Sequence, residues 1–311
     1  MSAALSNYSN RIHPKLIEIE KRFGRSELTY IDDPFLKKFE ISLWIKRDDL
    51  LHPIISGNKW RKLKYNLDAG LSLGVHTFIS MGGAYSSHLH ALAYLGKLLE
   101  LKTIGYVRGE CPAILTPSLQ DVQNWGMELR FISRSEYRQY RNYKNNEDFP
   151  YLKANEFWIP EGGANSLALK GVAALVNEID IPYDTLCVAC GTGTTLAGLF
   201  NSVSEEKTLM GFAALKNAKF LESDVQSVVT NHQNNWKIVH DYHFGGFAKI
   251  NSKLIEFMAE FEHRNAVELE PVYTGKMLYG LYDLIGKGYF KPGQCIIALH
   301  TGGLQGNRGY T

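Results

Sequence analysis

Residues 185–198 read TLCVACGTGTTLAG: six apolar or small residues, a turn of two glycines and three threonines, then the apolar start of a helix. A short continuous apolar run that ends in a glycine turn is how a strand buried on both faces of a parallel sheet hands over to its crossover helix. The same order recurs outward from this stretch. Further strands are expected at HTFIS (76–80), KTIGYV (102–107), ELRFI (128–132), FWIP (157–160), TLMGFA (208–213), WKIV (236–239) and QCIIALH (294–300). Helical patterns with apolar residues three and four apart fall at 86–100, 166–179, 252–264 and 275–288. Strands alternating with amphipathic helices predict an α/β protein with parallel sheets.

At 311 residues and 45% hydrophobic, the chain is long enough for two domains at roughly 100–200 residues each. A formal charge of +2, from 34 basic and 32 acidic residues, offers no broad attraction for nucleic acid or an anionic membrane, so a small molecule is the expected partner. The first residues hold no apolar core of signal-peptide length and no stretch approaches the ~20 apolar residues of a membrane span, so a cytoplasmic protein is expected. The segment RSEYRQYRNYKNNEDF (134–149) is basic and tyrosine-rich, but its alternating charges predict a solvated helix and loop rather than a nucleic-acid surface. Cys111, Cys187, Cys190 and Cys295 are too dispersed for a disulfide framework, and the Cys187-x-x-Cys190 pair sits in an apolar run that reads as a buried strand.

Three glycine-rich turns each follow an expected strand: SMGGAYSSH (80–88), ACGTGTTLAG (189–198) and LHTGGLQG (299–306). In open α/β sheets ligands sit at the carboxyl ends of strands, where glycines let backbone approach and helix N-termini offer N–H groups to anions. Gly191, Thr192, Gly193, Thr194 and Thr195 form the best candidate for a phosphate nest, with a plain strand-to-helix turn as the alternative. A dinucleotide fingerprint would need glycine where Leu196 stands, and a P-loop would need a GK[ST] that is missing. Lys59, in SGNKWRKL (56–63), has two local readings: a solvated residue at a helix start, or a lysine tethered in a partly dry site for Schiff-base chemistry. No GxSxG or HExxH occurs. His88 and His90 would point to different faces of one helix, which argues against a shared metal. Whether His88 faces the core or a pocket stays open.

In chain order, SGNKWRKL, GGAYSSHLHALA, IPEGGAN, GTGTTLAG, EPVYTGK and ALHTGG resemble the motifs of the 1-aminocyclopropane-1-carboxylate deaminase and D-cysteine desulfhydrase family, which uses pyridoxal 5'-phosphate. The resemblance runs from about Lys46 to Gly303. It implies a tryptophan-synthase-β-like fold of type II, with two parallel-sheet three-layer domains: a larger cofactor-binding one (1–61 and 164–311) and a smaller inserted one (62–163). It implies that Lys59, preceded by Asn58, holds the cofactor as a Schiff base. Ser86 falls on the serine beside the substrate carboxylate, Gly191 to Thr195 on the phosphate loop and Tyr273 on the active-site tyrosine. Thr274 takes the place facing the pyridine nitrogen, and Thr301 with Gly302 the turn lining the pocket. Ser87 stands where the family commonly has a cofactor-binding asparagine. Phe247 aligns with a further pocket tyrosine.

The expected activity is a lyase or deaminase reaction on a small amino acid, D-cysteine desulfhydrase-like, giving pyruvate, ammonia and sulfide. Opening of 1-aminocyclopropane-1-carboxylate and a catalytically silent amino-acid-binding relative are the alternatives. The resemblance also implies a homodimer; no metal is expected, because no complete set of residues has metal-ligand spacing.

Overall fold

A computed structural model describes residues 12–55, 57–229 and 235–310, so Ser56 of the SGN turn lies outside the described residues. The strands are β1 (Leu28–Tyr30), β2 (Ser42–Arg47), β3 (Thr77–Gly82), β4 (Lys102–Arg108), β5 (Glu128–Ile132), β6 (Glu156–Trp158), β7 (Thr185–Cys190), β8 (Thr208–Ala213), β9 (Trp236–Val239) and β10 (Cys295–His300). The α-helices are α1 (Pro14–Glu20), α2 (Pro34–Lys38), α3 (Asn58–Ser72), α4 (Ser87–Leu99), α5 (Pro117–Asn124), α6 (Arg134–Tyr140), α7 (Ser166–Ala173), α8 (Thr194–Phe200), α9 (Phe220–Gln226), α10 (Ser252–Asn265) and α11 (Thr274–Gly286). No helix among the described residues is long and apolar enough to cross a membrane.

The chain packs as two units. The first comprises Met1–Gly24, His52–Gly171 and Gln305–Thr311; the second comprises Arg25–Leu51 and Val172–Leu304. By packing, α3 and its Lys59 belong to the first unit, because Trp60, Leu63 and Leu67 are buried in that unit's core. The motif-based inserted domain of 62–163 begins three residues after Lys59.

The first unit is built on a four-stranded parallel sheet in the order β5-β4-β3-β6. All six residues of β3 are buried. Their side chains alternate between two cores. Phe78 joins Leu89, Leu92 and Phe157 on one face, and Ile79 and Met81 join Ile104, Tyr106 and Trp158 on the other. Each such side chain contributes ~1.5–3 kcal/mol by leaving water, which is why a central strand here carries no polar alternation.

The second unit has a six-stranded sheet in the order β1-β2-β10-β7-β8-β9. Its pairings are parallel except at one edge, where β1 runs antiparallel to β2. The parallel sheets expected from the sequence are present, with the short edge strand β1 added antiparallel. Cys187, Ala189, Met210 and Phe212 pack with Met277, Leu278 and Leu281 of α11 on one face. Leu186, Val188, Leu209 and Ile297 are buried on the other. The four cysteines form no disulfide, and Cys187 and Cys190 are buried in β7, where burial pushes the Cys187 thiol pKa up.

β1 and β2 are strands the apolar runs do not announce. β2 contains Lys46 and Arg47, yet Lys46 is wholly buried: its ammonium is held by the Ser26 carbonyl and, at 3.1 Å, by Glu178. Arg47 forks onto Asp49 at 2.6–3.1 Å. Glu178 lies in the 3-10 turn Val176–Glu178, with which the helical pattern of 166–179 ends after α7 stops at Ala173. The segment 134–149 is α6 followed by a loop, mostly exposed, with the buried Tyr137 hydroxyl donating to Glu161.

Candidate active site

In the second unit three strand ends carry the candidate residues. After β7 the chain turns through Gly191 and Thr192 into α8, whose N-cap is Gly193 at φ +72°, a left-handed conformation that glycine adopts without penalty. Gly193 offers no side-chain cap, so the first N–H groups of α8 meet no side-chain acceptor from it. The Thr192 and Thr194 hydroxyls lie 2.9 Å apart, and Thr194 and Thr195 are buried. The turn has no room for a side chain at Gly191. A Cβ there would sit 2.9 Å from Tyr273 Cε1 and 3.2 Å from its hydroxyl oxygen, so the Tyr273 ring lies directly on this turn.

Tyr273 and Thr274 open α11. Both are held by Glu270, whose buried carboxylate accepts the N–H groups of Val272 at 2.8 Å, Tyr273 at 2.9 and 3.0 Å, and Thr274. Burial pushes the Glu270 pKa up to about 7 against the opposing pull of those donors. Thr274 Oγ1 is buried beside the Glu270 carboxylate. Lys276, also buried, donates to the carbonyls of His243 at 3.0 Å and Gly246 at 2.8 Å, and burial pushes its pKa down to about 8. That anchors the loop bearing Phe247, whose ring meets Tyr273 edge-on at 6.1 Å between centroids.

At the end of β10, Thr301 is half-buried and Gly302 buried. The Gly302 N–H donates to His300 Nδ1 at 3.1 Å, and His300 Nε2 donates to the Glu268 carbonyl at 2.8 Å. One ring nitrogen therefore accepts and the other donates, so His300 is the neutral tautomer; burial lowers its pKa in the same sense.

In the first unit, Lys59 is half-buried in the first turn of α3, and its ammonium donates to Oδ1 of the buried Asn58 at 3.1 Å. Ser86 is the N-cap of α4, its hydroxyl accepting from Leu89 N at 3.2 Å, and Ser87 follows, half-buried. His88 faces inward. Ser80 Oγ donates to the Ile159 carbonyl at 2.7 Å, so its oxygen accepts from His88 Nε2–H at 2.8 Å. His88 Nδ1 is left as a buried acceptor without a partner among the described residues. Burial, helped by the charges of Lys59 and Lys62, pushes the His88 pKa down to about 3. His90 turns the other way, to Asp121 at 3.1 Å.

Sequence reasoning missed Glu270, His300 and the Ser80–His88 pair. The first two lie inside EPVYTGK and ALHTGG, so the motif held them, but only burial shows that they brace the backbone.

A family-wide sequence profile described as pyridoxal-phosphate dependent enzyme matches residues 20–302. A Pyrococcus horikoshii protein provisionally named 1-aminocyclopropane-1-carboxylate deaminase is 30% identical, over 96% of this chain and 98% of its own. The chain belongs to the pyridoxal-phosphate-dependent enzyme family. Among its relatives, a bifunctional D-cysteine desulfhydrase/1-aminocyclopropane-1-carboxylate deaminase of Arabidopsis thaliana is 30% identical over 85% of this chain and 73% of that protein. The crystal structure of a 1-aminocyclopropane-1-carboxylate deaminase homologue superposes with a TM-score of 0.79 at 28% identity, covering 96% of this chain and 98% of that one. A fungal L-serine ammonia-lyase from Rhizomucor miehei shares the fold at 15% identity and a TM-score of 0.64.

The residues present fit this family's cofactor. The 191–195 turn is an uncapped, glycine-lined cradle suited to a phosphate, and Thr274 Oγ1 is a buried neutral hydroxyl suited to a ring nitrogen. Lys59 is a lysine whose side chain is neither core nor fully solvated.

Proposed function

We propose that this member of the family is a lyase of the D-cysteine desulfhydrase type, eliminating a β-substituent from a small amino acid to give pyruvate, ammonia and, from cysteine, sulfide. The observation that carries the proposal is the wholly buried hydroxyl of Thr274, a neutral group at the start of α11. Pyridoxal phosphate, when bound, supplies the electron sink for breaking an α-C–H bond. In this reading Lys59 would hold the cofactor, Asn58 and Ser87 would contribute to binding it, and Gly191 to Thr195 would take its phosphate. Lys59 Nζ would also be the base that takes up the α-proton. Ser86 orients the substrate carboxylate, Tyr273 lines the reacting side, and Thr301 and Gly302 close the pocket wall. A hydroxyl at Thr274 is a weaker partner for a protonated ring nitrogen than a carboxylate is, which favours direct loss of a good leaving group.

The second reading, ring-opening deamination of 1-aminocyclopropane-1-carboxylate, is favoured by the names of the relatives. Purified protein supplied with D-cysteine, L-cysteine, β-chloro-D-alanine and 1-aminocyclopropane-1-carboxylate separates the two. Pyruvate from a β-substituted alanine is the expected result. Oxobutanoate from the cyclopropane substrate without pyruvate from the others establishes the second reading, and cofactor binding with no product establishes a silent relative. The same reading takes the enzyme as a cytoplasmic homodimer, for which light scattering should return twice the chain mass.

A further inference from the structure

We propose that Glu270 is a positioning residue of the reaction: its buried carboxylate closes the turn at the start of α11 and thereby fixes both the Tyr273 phenol and the Thr274 hydroxyl. The inference rests on the reading of those two residues as site residues. The first N–H groups of a helix have no partners within it, and a buried set left unpaired is costly. Here one side chain takes two of them, those of the N-cap Tyr273 and of Thr274, together with the N–H of Val272 just before the helix. Oε1 accepts from Tyr273 and Thr274, and Oε2 accepts from Val272 and Tyr273. The Glu270 carbonyl adds a bond from Gly275 N at 2.9 Å.

The turn this makes is tight. Gly275 could not carry a side chain, since its Cβ would lie 2.8 Å from the Glu270 carbonyl oxygen and 2.7 Å from Met258 Sδ. Tyr273 holds φ −124° and ψ −74°, outside the helix that follows: its carbonyl accepts the first helical bond, from Met277 N at 3.0 Å, while its N–H is held by Glu270. Its ring is then pressed on Gly191, where a displacement of a few tenths of an ångström changes the contact. Thr274 is wholly buried, so a shift of its backbone cannot be absorbed by swinging the hydroxyl into water. Glu270 touches no reacting atom in this account; it acts through the backbone of the two residues that do.

The test compares Glu270→Ala with Glu270→Gln, whose single amide oxygen keeps an acceptor for the Tyr273 and Thr274 amides. Amide hydrogen exchange on the cofactor-free protein reads the turn, and kcat, KM and the visible spectrum of the cofactor-loaded protein read the site. In wild type the amides of 272–274 should be protected. In Glu270→Ala they should exchange at least about tenfold faster while α10 is unchanged. In the same variant kcat should fall at least about tenfold with KM altered less, the signature of misplaced groups rather than lost binding. Glu270→Gln should restore part of both. Unprotected amides at 272–274 in wild type overturn the proposal whether or not the variants fold. So does an unchanged kcat in Glu270→Ala alongside a large loss in Tyr273→Phe. If the amides loosen as expected but Tyr273→Phe and Thr274→Ala also leave kcat and spectrum unchanged, the reading of the site has failed and the inference falls with it.

Discussion

Glu270 and His88 are fully buried ionisable groups shifted in opposite senses for pH-dependent stability, and the sign of each follows from its direction. Glu270 rises from 4.5 to about 7, so the folded chain binds its proton more tightly than the unfolded chain does. Its contribution is present below 4.5 and lost as pH climbs to about 7, on the order of 3 kcal/mol. His88 falls from 6.5 to about 3, so its contribution is present above 6.5 and lost as pH drops towards 3, on the order of 5 kcal/mol. Urea midpoints between pH 5 and 8 should therefore show His88→Gln less sensitive to acid than wild type, and Glu270→Gln less sensitive to base; curves parallel to wild type would contradict both shifts. Lys59 is a different case, since its side chain is half-buried and donates to the neighbouring Asn58. Lys59→Ala should leave the unfolding midpoint within about 0.5 kcal/mol of wild type and abolish the borohydride-stable cofactor adduct. An adduct that maps to Lys62 or Lys170 by mass spectrometry would remove Lys59 from the site. Lys59 could be proposed from the sequence because its motif is local. The part played by His88 was not, because nothing in SSHLH reveals that Ser80 and Ile159 wait across the strand to fix its tautomer.

At the scale of elements, legibility followed burial. All eight strands expected from apolar runs are present; β3 and β7 are buried at every residue, and a strand covered on both faces lacks the polar alternation that would blur it, while the edge strands β5 and β9 are only partly buried. β2 was hidden by Lys46 and Arg47, whose charges are neutralised by Ser26, Glu178 and Asp49, partners distant or ambiguous in the sequence. Helix packing is equally invisible to periodicity. Gly171 of α7 lies against α3 so closely that a Cβ would sit 1.8 Å from the Arg61 carbonyl oxygen, a contact with backbone that cannot swing aside. Gly171→Ala should destabilise by about 3 kcal/mol or abolish soluble expression, whereas Gly83→Ala, with open space around it, should change the midpoint little. The 191–195 turn makes the complementary prediction about binding. Thr192→Ala and Thr195→Ala should each weaken cofactor retention by ~1.5–3 kcal/mol, the value of a hydrogen bond to a charged oxygen, as read by titrating the apo-protein. Unchanged affinity in both would make the turn a plain connection between strand and helix.

For the whole molecule, six motifs scattered from Lys59 to Gly303 pointed to one family, and their order along the chain carried what no single motif could. What that order leaves open is which bond the enzyme breaks, and here Phe247 gives a testable answer. The α-carbon of 1-aminocyclopropane-1-carboxylate is quaternary and bears no proton, so opening its ring calls for a further nucleophile or base at the ring carbons. Elimination from a β-substituted alanine needs only removal of the α-proton and a good leaving group. The resemblance associates ring opening with paired tyrosine hydroxyls. In this chain the ring beside Tyr273 is that of Phe247, 6.1 Å away between centroids and 46% exposed, with no hydroxyl to offer. Wild type should therefore form pyruvate from D-cysteine or β-chloro-D-alanine and little or no oxobutanoate from the cyclopropane substrate. Phe247→Tyr should add ring-opening activity without loss of fold, because a hydroxyl on a half-exposed ring overpacks nothing. The new phenol would stand next to Tyr273 on a loop that Lys276 already anchors through the His243 and Gly246 carbonyls, so its placement is defined rather than floppy. A wild type that opens the ring efficiently, or a Phe247→Tyr variant indistinguishable from it on every substrate, would show that the missing hydroxyl does not set the choice of bond.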